Sequence, residues 1–153
     1  MKSIILTAIL FMVCGYTAFA QKMKQAQVPT AVVQSFKSKF ASAKKMRWER
    51  ESATEFEVNF TQNGQSLSAK FNQDGKWLET EAAIKTADLP EAVRTSMAQN
   101  FKGYKADEIE RVETADKGLI YEMVLERGKE KLEVQFSPEG TVLKKTDEKA
   151  AKD

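Results

Sequence analysis

The chain has 153 residues, of which 24 are Lys or Arg and 22 are Asp or Glu, so its formal net charge is +2. This near balance, with no basic stripe interleaved with aromatic residues, argues against nucleic acid as a partner. There is no histidine and the single cysteine is Cys14, so the rest of the chain offers no Ser–His or Cys–His nucleophile and no thiolate or imidazole metal site. The composition therefore predicts no enzyme activity, no metal and no cofactor.

The first twenty residues have the features of a secretory signal peptide. Lys2 supplies a positive start, Ile4–Val13 is an apolar core, and Ala18-Phe19-Ala20 places small residues at the two positions that signal peptidase reads. We therefore expect cleavage after Ala20 and a periplasmic or secreted mature chain. The apolar run is short for an uncleaved membrane anchor, and the bulky residues before Cys14 disfavour its lipidation.

The stretch Phe56–Leu78 has the pattern of a meander of antiparallel strands. Apolar and polar residues alternate in FEVNF and in LSAKF, and Asn63-Gly64 and Asp74-Gly75 favour tight turns after them. The same pattern recurs over Tyr121–Leu143, at an offset of 65 residues. The sequence therefore predicts that the meander is present twice.

A helical pattern precedes each meander. Val32, Phe36 and Phe40 lie four residues apart, after a proline suited to a first helical turn. The opening of this helix, Val28-Pro29-x-Ala31-Val32, recurs as Leu89-Pro90-x-Ala92-Val93 at an offset of 61 residues. Because this offset is smaller than that of the meanders, we expect an insertion around residues 116–118, in an exposed loop between two strands.

The predicted fold is α+β, with two tandem units that each contain one helix and four antiparallel strands. The apolar stripe of each helix is expected to pack on one face of the sheet. We assign residues 28–84 to the first unit and 85–145 to the second, with a flexible N terminus at 21–27 and a disordered charged tail at 146–153. One unit of about 60 residues would be marginally stable, so we expect the two to pack as one body or as one continuous sheet.

The sheet face away from the helices is the candidate binding surface. Strand alternation places six candidate binding residues on it: Glu57, Asn59, Lys70, Glu122, Glu133 and Gln135. A polar, merely solvated face is the alternative, because a one-layer antiparallel sheet needs one. Trp48 and Trp77 could anchor an interface, but Ile109 and Val142 at the matching places of the second copy favour the core.

One segment has the spacing of a calcium loop. With Lys70 as the first position, Asn72, Asp74, Gly75 and Glu81 fall at the third, fifth, sixth and twelfth positions. The first position requires an aspartate, however, and the flanking residues have strand periodicity. The segment is therefore interpreted as a hairpin turn.

These motifs resemble those of a known family. The paired helix openings, the motif Ala69-Lys70-Phe71-x-x-x-Gly75-x-Trp77 and the duplicated helix and meander are similar to the PepSY-like, β-lactamase-inhibitor-like (BLIP-like) proteins of Gram-negative envelopes. The resemblance covers nearly all of residues 28–145. It implies helices packed on an antiparallel sheet whose open face binds a protein, and the parent names suggest inhibition of a secreted enzyme or peptidase. The chain lacks the disulfides of the β-lactamase inhibitor, and no inhibitory loop residue aligns with it.

The functional expectation is a periplasmic, non-enzymatic binding module, inhibitor-like in character, that acts on an envelope or secreted protein. We expect no nucleic acid partner and no stable membrane insertion after signal cleavage. Two alternatives remain open at this point. One is a carrier that holds a small apolar ligand between the helices and the sheet, and the other is a structural homodimer.

Overall fold

The structure, a computed structural model, describes residues 21–147 as two α-helices and nine strands. Short 3₁₀ turns at Gln25–Gln27 and Thr86–Asp88 lead into the helices. Within residues 21–147 no helix is long and apolar enough to cross a membrane. The elements in chain order are β1 (Gln21–Met23), α1 (Thr30–Lys39), β2 (Lys44–Arg50), β3 (Glu55–Gln62), β4 (Gln65–Asn72), β5 (Trp77–Ala83), α2 (Glu91–Asn100), β6 (Lys105–Thr114), β7 (Gly118–Arg127), β8 (Glu130–Phe136) and β9 (Val142–Asp147).

The nine strands form one continuous sheet in which every strand pairs antiparallel with its neighbours in the sequence. The α+β class and the antiparallel meanders agree with the prediction. The predicted turn after β4 is also present, since the Asn72 side chain accepts hydrogen bonds from the backbone N–H groups of Asp74 and Lys76, at 3.1 and 2.8 Å. Asn72 and Asp74, two positions of the spacing that resembles a calcium loop, therefore belong to a hairpin turn.

The first half of the chain has a core built around Phe36 of α1. Its ring meets those of Trp48 and Phe60 edge-on at 5.3 and 5.1 Å, and that of Phe71 at 6.3 Å. Aromatic pairs in this geometry stabilise beyond the area they bury. The buried residues of this core are Val28, Val32, Phe36, Phe40, Trp48, Phe56, Val58, Phe60, Ala69 and Phe71.

The second half has a core of its own, with fewer aromatic rings. Phe101, at the end of α2, meets Phe136 of β8 edge-on at 5.8 Å. Aliphatic side chains fill most of the remaining space. The buried residues are Leu89, Val93, Phe101, Ile109, Tyr121, Met123, Leu125, Leu132, Val134 and Phe136.

Each end of the described chain contains strand residues where the sequence predicted a flexible or disordered segment. Residues 21–23, expected to be flexible, form β1 and pair with β2 through Gln21↔Arg50 and Met23↔Trp48. Residues 146 and 147, assigned to a disordered tail, belong to β9, where Thr146 pairs with Glu133. Gln21, Lys22, Thr146 and Asp147 are polar, and although Met23 packs against the core of the first half, strand pairing itself is made by the backbone. The expected signal peptide, Cys14 and residues 148–153 lie outside the described part of the chain.

The expected insertion lengthens two strands instead of a loop. β6 and β7 have 10 residues each, against 7 and 8 in β2 and β3. The added end of β6 pairs with β5 through Glu79↔Thr114, Thr80↔Glu113 and Glu81↔Val112. The extra length therefore extends the junction between the two halves, which Ala82↔Arg111 and Ala83↔Glu110 also form.

Candidate functional site: the open face of the sheet

The candidate site is the open face, defined as the sheet face opposite the core residues of β3, β4, β7 and β8. Strand alternation puts a residue on this face whenever its neighbours in the strand are in the core. In the first half the pairs Glu57↔Lys70 and Asn59↔Ser68 lie there, beside core pairs such as Val58↔Ala69. In the second half the pairs Glu122↔Gln135 and Val124↔Glu133 lie there, beside Met123↔Val134.

Lys70 is the cation at the centre of this face. Its Nζ lies 2.8 Å from Glu79 Oε1 and 2.9 Å from Glu81 Oε1, and Ser68 Oγ donates to the other Glu81 oxygen at 3.0 Å. Burial alone would lower the pKa of Lys70, but the hydrogen bonds and charges of Glu79 and Glu81 raise it well above its usual range. Lys70 is therefore held as an ammonium ion between the two carboxylates.

The pKa of Glu81 responds in the opposite direction. Burial would raise this pKa, but the charge of Lys70 and the hydrogen bonds from Lys70 and Ser68 together lower it. Glu81 is thus one of the two carboxylates that hold Lys70 in place.

Three other carboxylates of the open face have raised pKa values, and burial is the largest cause for each. The pKa of Glu57 is raised further by the charge of Glu81, although Lys70 opposes the shift. The charges of Glu81 and Glu122 add to the rise of the pKa of Glu110, and those of Glu79 and Glu81 add to the rise of the pKa of Glu122. Lys70 thus stands among five carboxylates, with Lys144 also acting on Glu122, and the centre of the face carries excess negative charge.

The desolvation of the carboxylates near the β5–β6 junction has a visible source in the sheet. Val112 of β6 pairs with Ile120 of β7 on the open face, and both are only 1 % exposed. Val112 also pairs with Glu81 across the β5–β6 junction. The surrounding charged side chains thus lie over an apolar centre, where water solvates their carboxylates poorly.

The second half of the face is hollow. A depression of about 630 Å³ is lined by Glu110, Glu122, Val124, Glu133 and Gln135, with Lys144 of β9 at its side. Gln135 Nε2 donates to Glu122 Oε1 at 2.8 Å, while Gln135 Oε1 is buried without a hydrogen-bond partner. A depression of this kind admits a protruding side chain or loop of a partner.

The strand pairing brings all six sequence-predicted residues to the open face. Sequence reasoning missed Glu79, Glu81 and Glu110, which lie on the strands that join the halves. The alternation of Glu79 and Glu81 with Thr80 was the available signal, but their proximity to Glu110 depends on the β5–β6 register. The role of the six predicted residues in binding stays a prediction.

The chemistry available on this face is that of charge and hydrogen bonding. In residues 21–147 no group of three or more His, Cys, Asp and Glu side chains is arranged to hold a metal ion. Trp48, considered as an interface anchor, is a buried core residue, and Trp77 packs against the same core with Lys39 Nζ 3.8 Å from its ring centre. Neither tryptophan is part of the open face.

The fold and this face define a class of protein: an α+β domain with a single antiparallel sheet, one face of which is open and charged. The sequence profile of the family described as "Putative beta-lactamase-inhibitor-like, PepSY-like" matches residues 17–68 and 54–144. The chain belongs to this family, as its motifs predicted. No curated protein matches the chain.

Solved structures share the fold at low sequence identity. A BLIP-like protein from Bacteroides fragilis is 21 % identical, with a TM-score of 0.70 over 79 % of this chain and 86 % of that one. A DUF2874 family protein from Bacteroides ovatus is 21 % identical, with a TM-score of 0.71 over 78 % and 87 %. A structure from Bacteroides eggerthii described as "putative periplasmic proteins" is 19 % identical, with a TM-score of 0.71 over 82 % and 93 %. At these identities the likeness shows the fold alone.

Proposed function

We propose that this protein is a periplasmic, non-enzymatic binding module that recognises an envelope or secreted protein through the open face. The observation that carries the proposal is the cluster of partly buried carboxylates around Lys70 on one face, where burial raises the pKa values of Glu57, Glu110 and Glu122. Carboxylates that are costly to ionise in the folded state lower its stability at neutral pH. Their concentration on one face is typical of a functional surface.

The charge of the open face indicates the chemistry of the partner. Five carboxylates around Lys70 leave an excess of negative charge, so a complementary surface presents Lys or Arg side chains. Such complementarity raises the association rate and makes binding weaken as salt is added. Inhibition of an enzyme would be one consequence of this binding, and the family's description supports it without identifying an inhibitory residue.

The periplasmic part of the proposal is supported by the N-terminal sequence and by the family. Residues 1–20 have the charge, apolar core and small residues of a signal peptide. One structure with the same fold is described as periplasmic. A mature chain without cysteine also suits an oxidising compartment, because no thiol is available for unwanted pairing.

We also propose that the protein consists of two tandem repeats whose helices cover the same side of the sheet. The backbone N–H of Lys24 donates to the Gln27 side chain and that of Lys85 to the Asp88 side chain, at the same offset of 61 residues as the helix openings. By the same offset, β1 matches the end of β5 that precedes α2. These matches support a repeat that begins at residue 21, seven residues before the predicted start.

The test of the binding function is capture from periplasmic extract of the source cell. The bait is the tagged chain, used with crosslinking and mass spectrometry of the retained proteins. A face variant carries Glu57→Gln, Glu110→Gln and Glu122→Gln. A control variant carries Glu91→Gln, Glu113→Gln and Glu139→Gln, which changes the net charge equally at positions away from the open face.

We expect a partner that is retained by the wild type and the control variant and lost by the face variant. Raising the salt concentration should also release it. Equal retention by both variants would show that the open face is not the contact surface. Retention of no protein by the wild type would contradict stable binding altogether.

A further inference from the structure

A second cavity lies outside the open face, between α2 and β7. Its volume is about 290 Å³, and its apolar lining includes Met97, Phe101 and Leu125. Arg94, Lys102 and Tyr104 also line it. We name this cavity the α2 slot.

The equivalent place in the first half of the chain is filled by aromatic rings. At the offsets of the two copies, Phe36 corresponds to Met97 and Phe60 to Leu125. The rings of Phe36 and Phe60 lie 5.1 Å apart, and Phe40 lies 5.4 and 4.7 Å from them. The second half has lost two of these three rings, and the α2 slot lies beside their aliphatic replacements.

The edge of the slot differs between the halves as well. Arg94 and Lys102 stand where the first half has Val33 and Ala41. Arg94 Nη1 donates to the backbone oxygen of Leu89 at 2.6 Å and to that of Ala87 at 3.3 Å, which fixes the guanidinium. A guanidinium has five N–H donors, so this anchoring leaves others for a ligand.

Glu130, an acidic residue near the slot, is already compensated by its partners. Glu130 Oε2 accepts from Tyr104 Oη at 2.7 Å and from Arg127 Nε and Nη2 at 3.1 and 2.9 Å. Arg127 also lies over the Tyr104 ring, with its guanidinium carbon 4.3 Å from the ring centre. The slot therefore combines an apolar floor with a cationic edge.

We propose that the α2 slot binds the anion of a medium-chain carboxylic acid. The alkyl chain packs on Met97, above the buried side chains of Phe101 and Leu125, and the carboxylate lies at the edge that carries Arg94 and Lys102. A planar guanidinium matches a carboxylate with two parallel hydrogen bonds. A water-sized group occupies about 30 Å³, so the slot holds about ten such groups. An eight-carbon carboxylate has about ten non-hydrogen atoms and therefore matches this volume. This site is independent of the protein-binding surface proposed above.

The experiment is a titration of the full chain with octanoate, followed by calorimetry and by NMR shifts of the Met97 methyl group. Octanol and octyltrimethylammonium are the comparison ligands, since they keep the chain and change the charge. We expect saturable octanoate binding about tenfold tighter than that of octanol, because a hydrogen-bonded ion pair is worth at least that factor. The cationic ligand should bind most weakly.

Two variants copy the first half of the chain into the second. Met97→Phe with Leu125→Phe restores the rings and is expected to abolish binding of all three ligands. Arg94→Val with Lys102→Ala removes the cationic edge and is expected to bring octanoate down to the affinity of octanol. Thermal unfolding of each variant checks that it is folded, and the second pair keeps the proposal testable if the first does not fold.

The proposal is overturned if the wild type does not bind octanoate, or if the ring-restoring variant binds it as well as the wild type does. Equal binding of octanoate and octanol by the wild type would overturn the assignment of an anion. Unchanged octanoate affinity in the Arg94→Val, Lys102→Ala variant would overturn the role of these two cations.

Discussion

At the scale of single residues, Lys70 decides the electrostatics of the open face. It is held by Glu79 and Glu81 on the neighbouring strand, and it is the cation that all three carboxylates of raised pKa share. These groups are only partly buried, so their interactions are weaker than those of a pair in a dry core. Measuring stability at several pH values separates the contribution of the Lys70–Glu81 pair from that of Glu110 and Glu122.

Lys70→Met is expected to lower the free energy of unfolding by about 1–3 kcal/mol near pH 7, because it leaves partly buried carboxylates without their cation. The loss should shrink in acid. The folded pKa of Glu81 is lowered, so its pairing stabilises the fold above the unfolded pKa and ceases to do so as the pH falls through the folded one. Urea denaturation at several pH values measures this, with exposed Lys76→Met as control. A loss that is the same at pH 3 and pH 7 would contradict the ion-pair explanation.

Glu110→Gln with Glu122→Gln should have the opposite effect and stabilise the protein near pH 7. Their folded pKa values are raised, so ionisation costs stability as the pH rises from the unfolded toward the folded pKa. Below both values all forms are protonated, and the variant should match the wild type. Unfolding midpoints from pH 3 to pH 8 test this. A variant that is less stable at pH 7 would show that the hydrogen bond from Gln135 to Glu122 outweighs the cost of ionising these carboxylates.

At the scale of elements, the turns after β4 and β8 fix the two helices to the sheet. Gly75 has a φ of +84°, and a Cβ built on it would lie 2.6 Å from the backbone oxygen of Ala31 in α1. Gly140 has a φ of +83° and makes the same close approach to Ala92 in α2. Only a residue without a side chain permits this contact at both places.

Gly75→Ala and Gly140→Ala are therefore expected to destabilise the protein more than alanine at other turns. Gly64→Ala and Gly118→Ala are the controls, since both have positive φ values but an added Cβ would meet nothing within 4 Å. The controls should cost about 1–2 kcal/mol from backbone strain. The test positions should cost more, because the turn must also move away from the helix. Equal losses in denaturant titrations of the four variants would refute the close contact.

At the scale of the whole molecule, two cores share one sheet. Pairing of β5 with β6 joins the halves, and no buried residue is common to the two cores given for residues 21–147. The halves are thus coupled through backbone hydrogen bonds, through the charged residues of the open face and through the buried Val112 at the junction. This arrangement predicts that damage to either core is felt by the other.

Phe71→Ala and Phe136→Ala are each expected to cost about 3–5 kcal/mol, since both rings are fully buried in their cores. Both tryptophans, Trp48 and Trp77, lie in the first half, so their fluorescence reports on that half alone. In Phe136→Ala the fluorescence and far-UV circular dichroism transitions should coincide, because the joined sheet unfolds as one unit. Loss of circular dichroism well before fluorescence would show that the halves unfold independently.

Much of the open face was predictable from alternation within single strands. Glu57, Asn59 and Lys70 follow from the pattern of β3 and β4, and Glu122, Glu133 and Gln135 from that of β7 and β8. Their side of the sheet is fixed because the intervening residues are apolar. Glu79, Glu81 and Glu110 were not predicted, since no local pattern reports the register between the two halves.

The sequence by itself determined the class, the two meanders, the helix openings and the family, because each depends on local periodicity or turn chemistry. Tertiary structure alone decided that β1 and the end of β9 are strands, since both depend on backbone pairing with a distant partner. It also decided that the lengthened β6 joins β5. That single non-local register brings Glu81 beside Val112 and creates the charged centre of the open face. It could not be predicted, because pairing between segments far apart in sequence leaves no periodic signal in the chain.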